Sequence, residues 1–329
     1  MVGSKVAGIV ALAALLLVAC DDEATEQAGT STVTGGSTTP SGGGGGTATG
    51  GGGAGGGAGG GSGGTEPAER GASPDWPIEL DTGATLVYLE DYEQGSCDRI
   101  QSDSSAAVVS AADGADVFAG TYCLRGNFDP DTVDPITGRQ GVSRYAGLSD
   151  IGLSSVGLTD RMYVSYRWRL DADVQFVPES GNFGGQKHAY ITGSASPWAE
   201  KVNYVVGQAW GPDHWWVVNN SPNSLAISYQ DNANVDSAAA ALGTWHRVEF
   251  YLRLESSPGA ADGIAILKID EALAIDARDV PYLWPGAADQ TWGGMALPSM
   301  FGGGVDPAAS FGWQLDELEI WDGLPPPPG

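Results

Sequence analysis

The sequence has 329 residues, among them 51 glycines and 3 cysteines, and a formal net charge of −26. From residue 76 onward it contains 34 Asp and Glu residues against 13 Lys and Arg residues. So acidic a chain argues against nucleic acid as a partner, because phosphate binding requires a basic surface. The same charge disfavours anionic substrates overall, although one basic groove can overcome it locally. Beyond residue 20 no apolar segment reaches membrane-spanning length, which argues against a polytopic membrane protein.

The N-terminus predicts export and a lipid anchor. Lys5 is followed by an apolar run over residues 6–19 and then by Cys20. This run has the arrangement of a secretory signal rather than of a spanning helix. The Leu-Val-Ala-Cys sequence that ends at Cys20 resembles the bacterial lipobox, which implies lipidation of Cys20. We therefore expect residues 1–20 to be a lipoprotein signal and the protein to lie at the outer membrane or cell surface. The alternative is an ordinary signal peptide in which Cys20 is incidental.

Residues 21–75 predict a disordered tether. Between residues 42 and 64, 17 of 23 residues are Gly, so this stretch cannot bury enough apolar surface to fold. A Gly-rich chain of about 50 residues spans roughly 40 Å. Residues 76–323 are then predicted to form one domain, which is long enough to bury a full core. Residues 324–329 are a proline-rich tail without structure of its own.

The long C-terminal part indicates an all-β fold. Turn-forming residues recur throughout, and the clearest segments alternate apolar and polar residues with period two. In residues 161–170 this alternation sets Tyr166 and Trp168 on one face, with Arg167 and Arg169 on the other. Further strands are predicted at residues 245–254, 263–270 and 313–321. The pattern predicts two antiparallel sheets packed as a jelly-roll sandwich.

The two cysteines of the predicted domain, Cys97 and Cys123, indicate a disulfide. An exported protein meets an oxidising environment, and no other cysteine lies in this part of the chain. Such a bridge would contribute about 3 kcal/mol to stability in the chain-entropy model. The alternative, a metal site built on two cysteines, lacks a nearby His partner.

Several segments resemble one group of carbohydrate-active jelly rolls. They are GTYCLR at residues 120–125, LGTWHRVEFY at residues 242–251, DGIAILKID at residues 262–270, and FGGG with LDELEI at residues 301–304 and 315–320. Together they are similar to strand motifs of concanavalin A-like polysaccharide lyases, the glucuronan and alginate lyases. The resemblance implies a jelly roll that acts on polysaccharide. Related motifs also occur in non-catalytic lectin-like and laminin-G-like domains, so they support the fold more than the chemistry.

The segment that can carry chemistry is GGQKHAYI at residues 184–191. If it is a regular strand, Gln186, His188 and Tyr190 share one face. The resemblance implies that Gln186 neutralises a uronate carboxyl group, that His188 removes the C5 proton and that Tyr190 is the acid. Lys187 is the alternative cation or base. This set suits β-elimination, which needs a donor on the carboxyl group, a base and an acid. A structural role in the fold is the competing interpretation of His188.

Other polar and aromatic residues complete the predicted sugar site. Arg167 and Arg169 are candidate clamps for a uronate carboxylate because Arg binds carboxylates through two parallel hydrogen bonds. Simple solvated charge is their alternative role. Three Trp residues are candidate stacking platforms for sugar rings or, alternatively, core residues. These are Trp210, Trp215 and Trp216.

A structural Ca²⁺ is expected where the first and last strands meet. The resemblance implies such an ion, and the two strands supply acidic clusters that contain Glu93 and Asp316. Carboxylates from both ends, with loop carbonyls, would provide the six to eight oxygens that Ca²⁺ prefers. The alternative is that both clusters are solvated strand edges. No organic cofactor is expected.

Two functions therefore compete. The first is β-elimination on a uronic-acid polymer, favoured by the Gln-x-His spacing and the Arg residues. The second is a non-catalytic carbohydrate-binding or adhesion module, favoured by the acidity and by Trp residues in residues 213–220 where such lyases often carry Tyr-x-Tyr. Zinc, P-loop, serine-hydrolase and dinucleotide signatures are absent from the sequence. Glycoside hydrolysis ranks third because paired carboxylates are not evident. We expect a monomer that binds polysaccharide and contacts membrane only through its lipid.

Overall fold

The computed structural model describes residues 70–100, 106–128, 148–175, 185–193, 203–209, 214–219, 229–235, 241–281, 291–297, 300–302 and 309–328. The first strands in these ranges are β1 (Leu86–Glu90), β2 (Ala107–Ser110), β3 (Tyr122–Phe128), β4 (Leu148–Ile151), β5 (Arg161–Leu170), β6 (Gly185–Gly193), β7 (Asn203–Ala209) and β8 (His214–Asn219). They are followed by β9 (Tyr229–Asn234), β10 (His246–Arg253), β11 (Gly263–Ile269), β12 (Ala272–Val280), β13 (Trp292–Leu297), β14 (Met300–Gly302) and β15 (Phe311–Trp321).

The strands form two antiparallel sheets. Sheet A has the order β12-β11-β10-β5-β15-β3-β2, with β1 also beside β15. Sheet B has the order β4-β13-β6-β7-β8-β9, with β14 beside β6. The first and last strands, β1 and β15, pair with each other through residues such as Leu89 and Glu319. The predicted all-β jelly-roll class is confirmed. Among the described residues, no helix is long and apolar enough to cross a membrane.

The main core lies between the two sheets. Sheet A contributes the predicted apolar face of β5, including Tyr166 and Trp168, and sheet B contributes Ile191, Trp215 and Trp292, all nearly or fully buried. Each large side chain of this kind adds about 1.5–3 kcal/mol when it is fully buried. The period-two pattern of the sequence therefore identified the core face of β5 correctly.

A second, smaller core lies on the outer face of sheet A, the face directed away from sheet B. It contains Ala72, Tyr163, Tyr251, Ile266 and Leu324, with Ala72 and Leu324 fully buried. The folded part thus extends beyond the predicted limits of 76 and 323 at both ends. The reason is that the central strands carry apolar residues on both faces, so both ends of the domain are needed to cover the second face.

The N-terminal part of this cover, residues 70–76, is bound by polar contacts. Glu249 accepts hydrogen bonds from the hydroxyl of Tyr163 (2.6 Å) and the backbone amide of Ser73 (2.8 Å). The Lys268 ammonium donates to the Ser73 hydroxyl at 2.8 Å. Gly71 lies in the left-handed region at φ +127°, and a Cβ atom there would clash with the carbonyl oxygen of Pro326 in the C-terminal tail. These contacts fix residues 70–76, which we call the strap, to sheet A.

The predicted disulfide is not formed. Cys97 and Cys123 are both free thiols. Each sulfur has a different polar neighbour: the Cys97 thiol donates to Glu90 at 3.4 Å, and Gln314 donates to the Cys123 sulfur at 3.3 Å. Burial raises the pKa of each thiol to about 11. Both are therefore protonated and poorly nucleophilic near neutral pH.

Candidate functional site

Strand β6 carries the predicted catalytic segment, and it is not a regular strand. Gln186 and Lys187 pair with Gln208 and Gly207 of β7, but the next pair is Ala189 with Val206. His188 is therefore an extra residue, a β-bulge, and the alternation of faces is interrupted at this point. The prediction that Gln186, His188 and Tyr190 share one face does not hold for Tyr190, because the bulge shifts it to the opposite face from His188.

His188 lies in the core between the sheets. Its side chain has no solvent exposure. Its Nδ1 atom is 3.1 Å from the hydroxyl of Tyr166 in sheet A, and its ring centroid lies 4.6 Å from those of Trp168 and Trp215. A general base must come within hydrogen-bond distance of the proton it removes. The structure does not place His188 where a polymer chain can meet it.

Tyr166 is a partner that the sequence analysis did not identify. It lies on the apolar face of β5, and burial raises its pKa well above the usual value of about 10. Its hydroxyl therefore stays protonated and can donate to His188. The available signal was a single hydroxyl within an otherwise apolar row of five core residues, since a buried Tyr hydroxyl usually has a polar partner.

The bulge sets two other residues of β6 on the face of sheet B that is directed away from the core. Lys187 is in register with Gly207 of β7, which is in register with Trp216 of β8 and, through it, with Asn232 of β9. These positions alternate with the buried Trp215 and Val217. They form one row across four strands, and Gly207 adds no side chain between Lys187 and Trp216.

Tyr190 begins the adjacent row on the same face. It is in register with Val205 of β7, then Val218 of β8 and Gln230 of β9. In a regular strand, residues three apart fall on opposite faces, so Lys187 and Tyr190 would be separated by the sheet. The extra residue at position 188 places them on one face, in neighbouring rows. We call the two rows the β6–β9 face.

The residue types of the β6–β9 face suit a polysaccharide. A lysine amine can act as a base or neutralise an acid group, and a tyrosine hydroxyl can deliver a proton. Trp at the position of Trp216 is the residue type on which sugar rings stack. The same rows contain Asn232 and Gln230, whose amide groups are of a type that donates hydrogen bonds. Of the predicted stacking residues, Trp215 is in the core and Trp210 lies outside the described residues.

Arg167 and Arg169 lie on the outer face of sheet A, so that sheet separates them from β6. Arg167 lies over the ring of Phe118, with its guanidinium carbon 4.2 Å from the ring centroid, and Glu317 is 3.9 Å away. Burial, and then the nearby charge of Arg247, lower the pKa of Arg167. The structure therefore does not bring the two arginines together with the residues of β6.

The donors of Arg169 are bound within the domain. Its Nη1 donates to Gln314 at 2.6 Å and its Nε to the carbonyl of Gly243 at 3.2 Å, and Asp116 is 3.2 Å from the same Nε. A guanidinium held in this way has little capacity left for a uronate carboxylate. The predicted clamp is thus replaced by an internal ion-pair network.

His246 lies at the partly exposed start of β10. Its Nδ1 is 2.7 Å from a carboxylate oxygen of Asp270, and its Nε2 is 2.8 Å from the carbonyl of Ala241. Both partners only accept hydrogen bonds, so both ring nitrogens carry protons when both bonds form. Burial lowers the pKa of His246, but the hydrogen bonds to Asp270 and Ala241 outweigh this, and the net pKa is raised. The nearby Thr244 hydroxyl donates to Ala241 as well, so the group is a structural clamp and not a nucleophile with its base.

Asp316 lies in β15, and Glu93 lies three residues after the end of β1. Glu93 accepts from the backbone amides of Thr121 and Tyr122, at 2.9 and 3.1 Å. Burial, with the charges of Glu317 and Glu93, raises the pKa of Asp316 to about 8. Among the described residues, no cluster of three or more His, Cys, Asp or Glu side chains is arranged to hold a metal ion. Two carboxylates alone fall short of the oxygens that Ca²⁺ takes, so the ion stays a prediction.

Comparison with known proteins identifies the fold. No protein-family model matches the chain, and no curated protein matches it. The endo-β-1,4-glucuronan lyase from the fungus Trichoderma reesei matches with a TM-score of 0.50 at 15% identity, over 72% of this chain and 95% of that one. The chain shares the jelly-roll fold of this lyase.

Two alginate lyases match at lower scores. That from Chlorella virus, vAL-1, has a TM-score of 0.48 at 11% identity, over 66% of this chain and 88% of that chain. The PL-14 alginate lyase from Aplysia kurodai has a TM-score of 0.46 at 13% identity, over 74% of this chain and all of that one.

Proposed function

We propose that this protein is a polysaccharide lyase that cleaves a uronic-acid polymer by β-elimination on the β6–β9 face. One observation carries the proposal: the bulge at His188 sets Lys187 and Tyr190 on one face, in rows that also contain Trp216. A base, an acid and a residue type on which sugars stack thus lie on one face of sheet B, in a fold that this chain shares with a glucuronan lyase.

In the proposed reaction, the neutral amine of Lys187 takes the proton at C5 of the uronate. The electrons of the C5–H bond form a double bond between C4 and C5, and the C4–O bond breaks. The hydroxyl of Tyr190 gives its proton to the departing oxygen. Proton removal next to a carboxylate also requires a donor on that group, and Asn232 and Gln230 are the amide residues in the same rows.

We also propose that the protein works at a bacterial membrane surface, held by lipid on Cys20. The support is the Leu-Val-Ala-Cys sequence at the end of the apolar N-terminal run. Replacing Cys20 with Ser should move the protein from the membrane fraction to the soluble fraction. Continued retention in the membrane fraction would contradict the lipid anchor.

The function is tested by mixing the purified protein with alginate, glucuronan and glycosaminoglycans and following the ultraviolet absorbance of unsaturated product ends. One polymer should give this signal, and Lys187→Ala should lower kcat by roughly 100- to 10,000-fold, the scale of general base catalysis, with polymer binding retained. Tyr190→Phe should act in the same direction. Arg278→Ala, which removes a surface cation of β12, is the control and should keep full activity.

Two results would contradict the proposal. A polymer that binds without yielding unsaturated ends would identify a carbohydrate-binding module of the same fold. Full activity of both Lys187→Ala and Tyr190→Phe would place the chemistry elsewhere in the molecule.

A further inference from the structure

The sequence of β6 is compatible with two arrangements of its first half. In the arrangement observed, His188 is the extra residue and Lys187 shares the outer face with Tyr190. In a regular strand, counted back from Tyr190, His188 would move to the outer face and Lys187 to the core. A one-residue shift in a strand exchanges the faces of all side chains beyond it. The choice between these arrangements therefore decides which residue meets the substrate.

In the core, His188 makes specific contacts with residues of both sheets. The Tyr166 hydroxyl on the opposite sheet lies 3.1 Å from its Nδ1, and the Trp168 and Trp215 rings each lie 4.6 Å from its ring, centroid to centroid. Tyr166 and His188 are both almost completely buried. A buried polar group without a partner is costly, so each member of this pair favours the arrangement that keeps the other.

In the regular arrangement, the side chain of Lys187 would enter an apolar environment. Its position would then fall on the face that contains Trp215, Ala189 and Ile191, all buried in the apolar core. Burial of a lysine among these side chains is strongly unfavourable unless the charge is paired or lost. The penalty for Lys187 and the hydrogen bond of His188 thus act in the same direction, and both favour the bulge.

We propose that His188 is a positioning residue: held by Tyr166 in the opposite sheet, it fixes the β6 bulge that sets Lys187 and Tyr190 on one face. The catalytic consequence rests on the proposed function, whereas the arrangement of the strand does not. Bulges beside active sites commonly redirect a side chain in this way. His188 therefore acts through the backbone of β6 and does not touch the polymer.

The first test measures which face each residue occupies. Lys187→Cys and Tyr190→Cys are made separately in the full-length chain, with Cys20, Cys97 and Cys123 replaced by Ala to remove other thiols. Both new thiols should react with a water-soluble maleimide in the native protein. When His188→Leu or Tyr166→Phe is added, reaction at position 187 should be slowed far more than reaction at position 190. Equal rates at both positions, with and without these changes, would overturn the proposal, and so would protection of position 187 in the parent.

The second test uses a conservative variant. The amide of Asn can occupy the place of Nδ1 and keep a partner for Tyr166, so His188→Asn should retain the labelling pattern and most of kcat. His188→Leu should lose roughly 100- to 10,000-fold in kcat, the scale of general base catalysis, because Lys187 would leave the outer face, with a smaller change in KM. If His188→Leu remains folded by circular dichroism and keeps full kcat, the positioning role is wrong.

The two tests separate this inference from the proposed function. If no polymer is cut but the labelling pattern depends on His188 as expected, the strand arrangement stands and the lyase function fails. If polymer is cut but labelling shows position 187 protected in the parent, the lyase function stands and this inference fails.

Discussion

The outer faces of the two sheets differ in what their polar residues do. On sheet A, Glu249 and Lys268 bind the strap, and Arg169 binds Gln314 and the carbonyl of Gly243. On the β6–β9 face of sheet B, a lysine and a tyrosine are brought into neighbouring rows by a bulge. The first face is used to complete the fold, and the second is the one that we assign to the substrate.

The difference shows why charge on one face of a predicted strand is a weak indicator of a ligand site. Arg167 and Arg169 lie on the polar face of β5, as the alternation predicted. Their partners, Glu317, Gln314 and Asp116, come from distant parts of the chain. Burial of such groups requires internal partners, so an arginine on a half-covered face is as suited to binding its own protein as to binding a carboxylate.

The largest expected effect is on stability, and it tests whether the contacts of Glu249 bind the strap to sheet A. Glu249→Ala should lower the free energy of unfolding by about 3–5 kcal/mol, because it leaves Arg247 and the amide of Ser73 without their buried acceptor. Denaturant unfolding measures the loss, and polymer turnover by the remaining folded protein should be unchanged. Glu249→Gln, which keeps one oxygen acceptor, should cost clearly less. A variant of unaltered stability would show that the strap does not depend on this contact.

The next prediction tests the assignment of the arginines to structure. Arg169→Ala should cost about 1.5–3 kcal/mol of stability, the scale of a charge-assisted hydrogen bond, since its hydrogen bonds to Gln314 and Gly243 disappear. The kcat on a cleaved polymer should remain that of the parent. Loss of kcat or of polymer binding without loss of stability would contradict this assignment. It would indicate that the substrate binds on the outer face of sheet A and not on the β6–β9 face.

A smaller effect is expected in the pH dependence of stability, and it arises from the hydrogen bonds of His246 to Asp270 and Ala241. The pKa of His246 is raised in the folded state, so its stabilisation is complete below the unfolded value of about 6.5 and is lost as pH rises through the folded pKa. The loss should be below about 1 kcal/mol, as for other partly exposed ion pairs. His246→Gln should remove this part of the pH dependence. An unchanged profile of stability between pH 6 and pH 9 would contradict the pairing with Asp270.

The smallest expected effect is that of Ca²⁺ at the junction of β1 and β15. If Glu93 and Asp316 contribute to a cation site, millimolar Ca²⁺ should raise the melting temperature and a chelator should reverse the change, because the ion binds only the native state. The double variant Glu93→Gln with Asp316→Asn should not respond. A melting temperature indifferent to both Ca²⁺ and chelator, with no bound metal by elemental analysis, would remove the site.

The fold was largely predictable from the sequence, and the arrangement of the candidate site was not. Alternation in residues 161–170 predicted which side chains of β5 enter the core, since a strand directs successive residues to opposite faces. The same rule misplaced Tyr190 relative to His188. Alternation assumes that the strand is regular. A single extra residue shifts the alternation by one, so that the residues before it and the residues after it no longer follow the same pattern of faces.

The sequence by itself determined the elements whose causes are local. Its period-two segments specified strands, and the core face of β5 followed from them. Only the tertiary structure decided the outcomes that depend on distant partners. Cys97 and Cys123 have separate polar neighbours, Glu90 and Gln314. Arg169 is bound by β15, and His188 lies in the core, where its Nδ1 is 3.1 Å from the hydroxyl of Tyr166 in the other sheet. The physical reason is that strand periodicity is a property of the local backbone, whereas the position of a polar side chain depends on which partner the folded chain brings within reach.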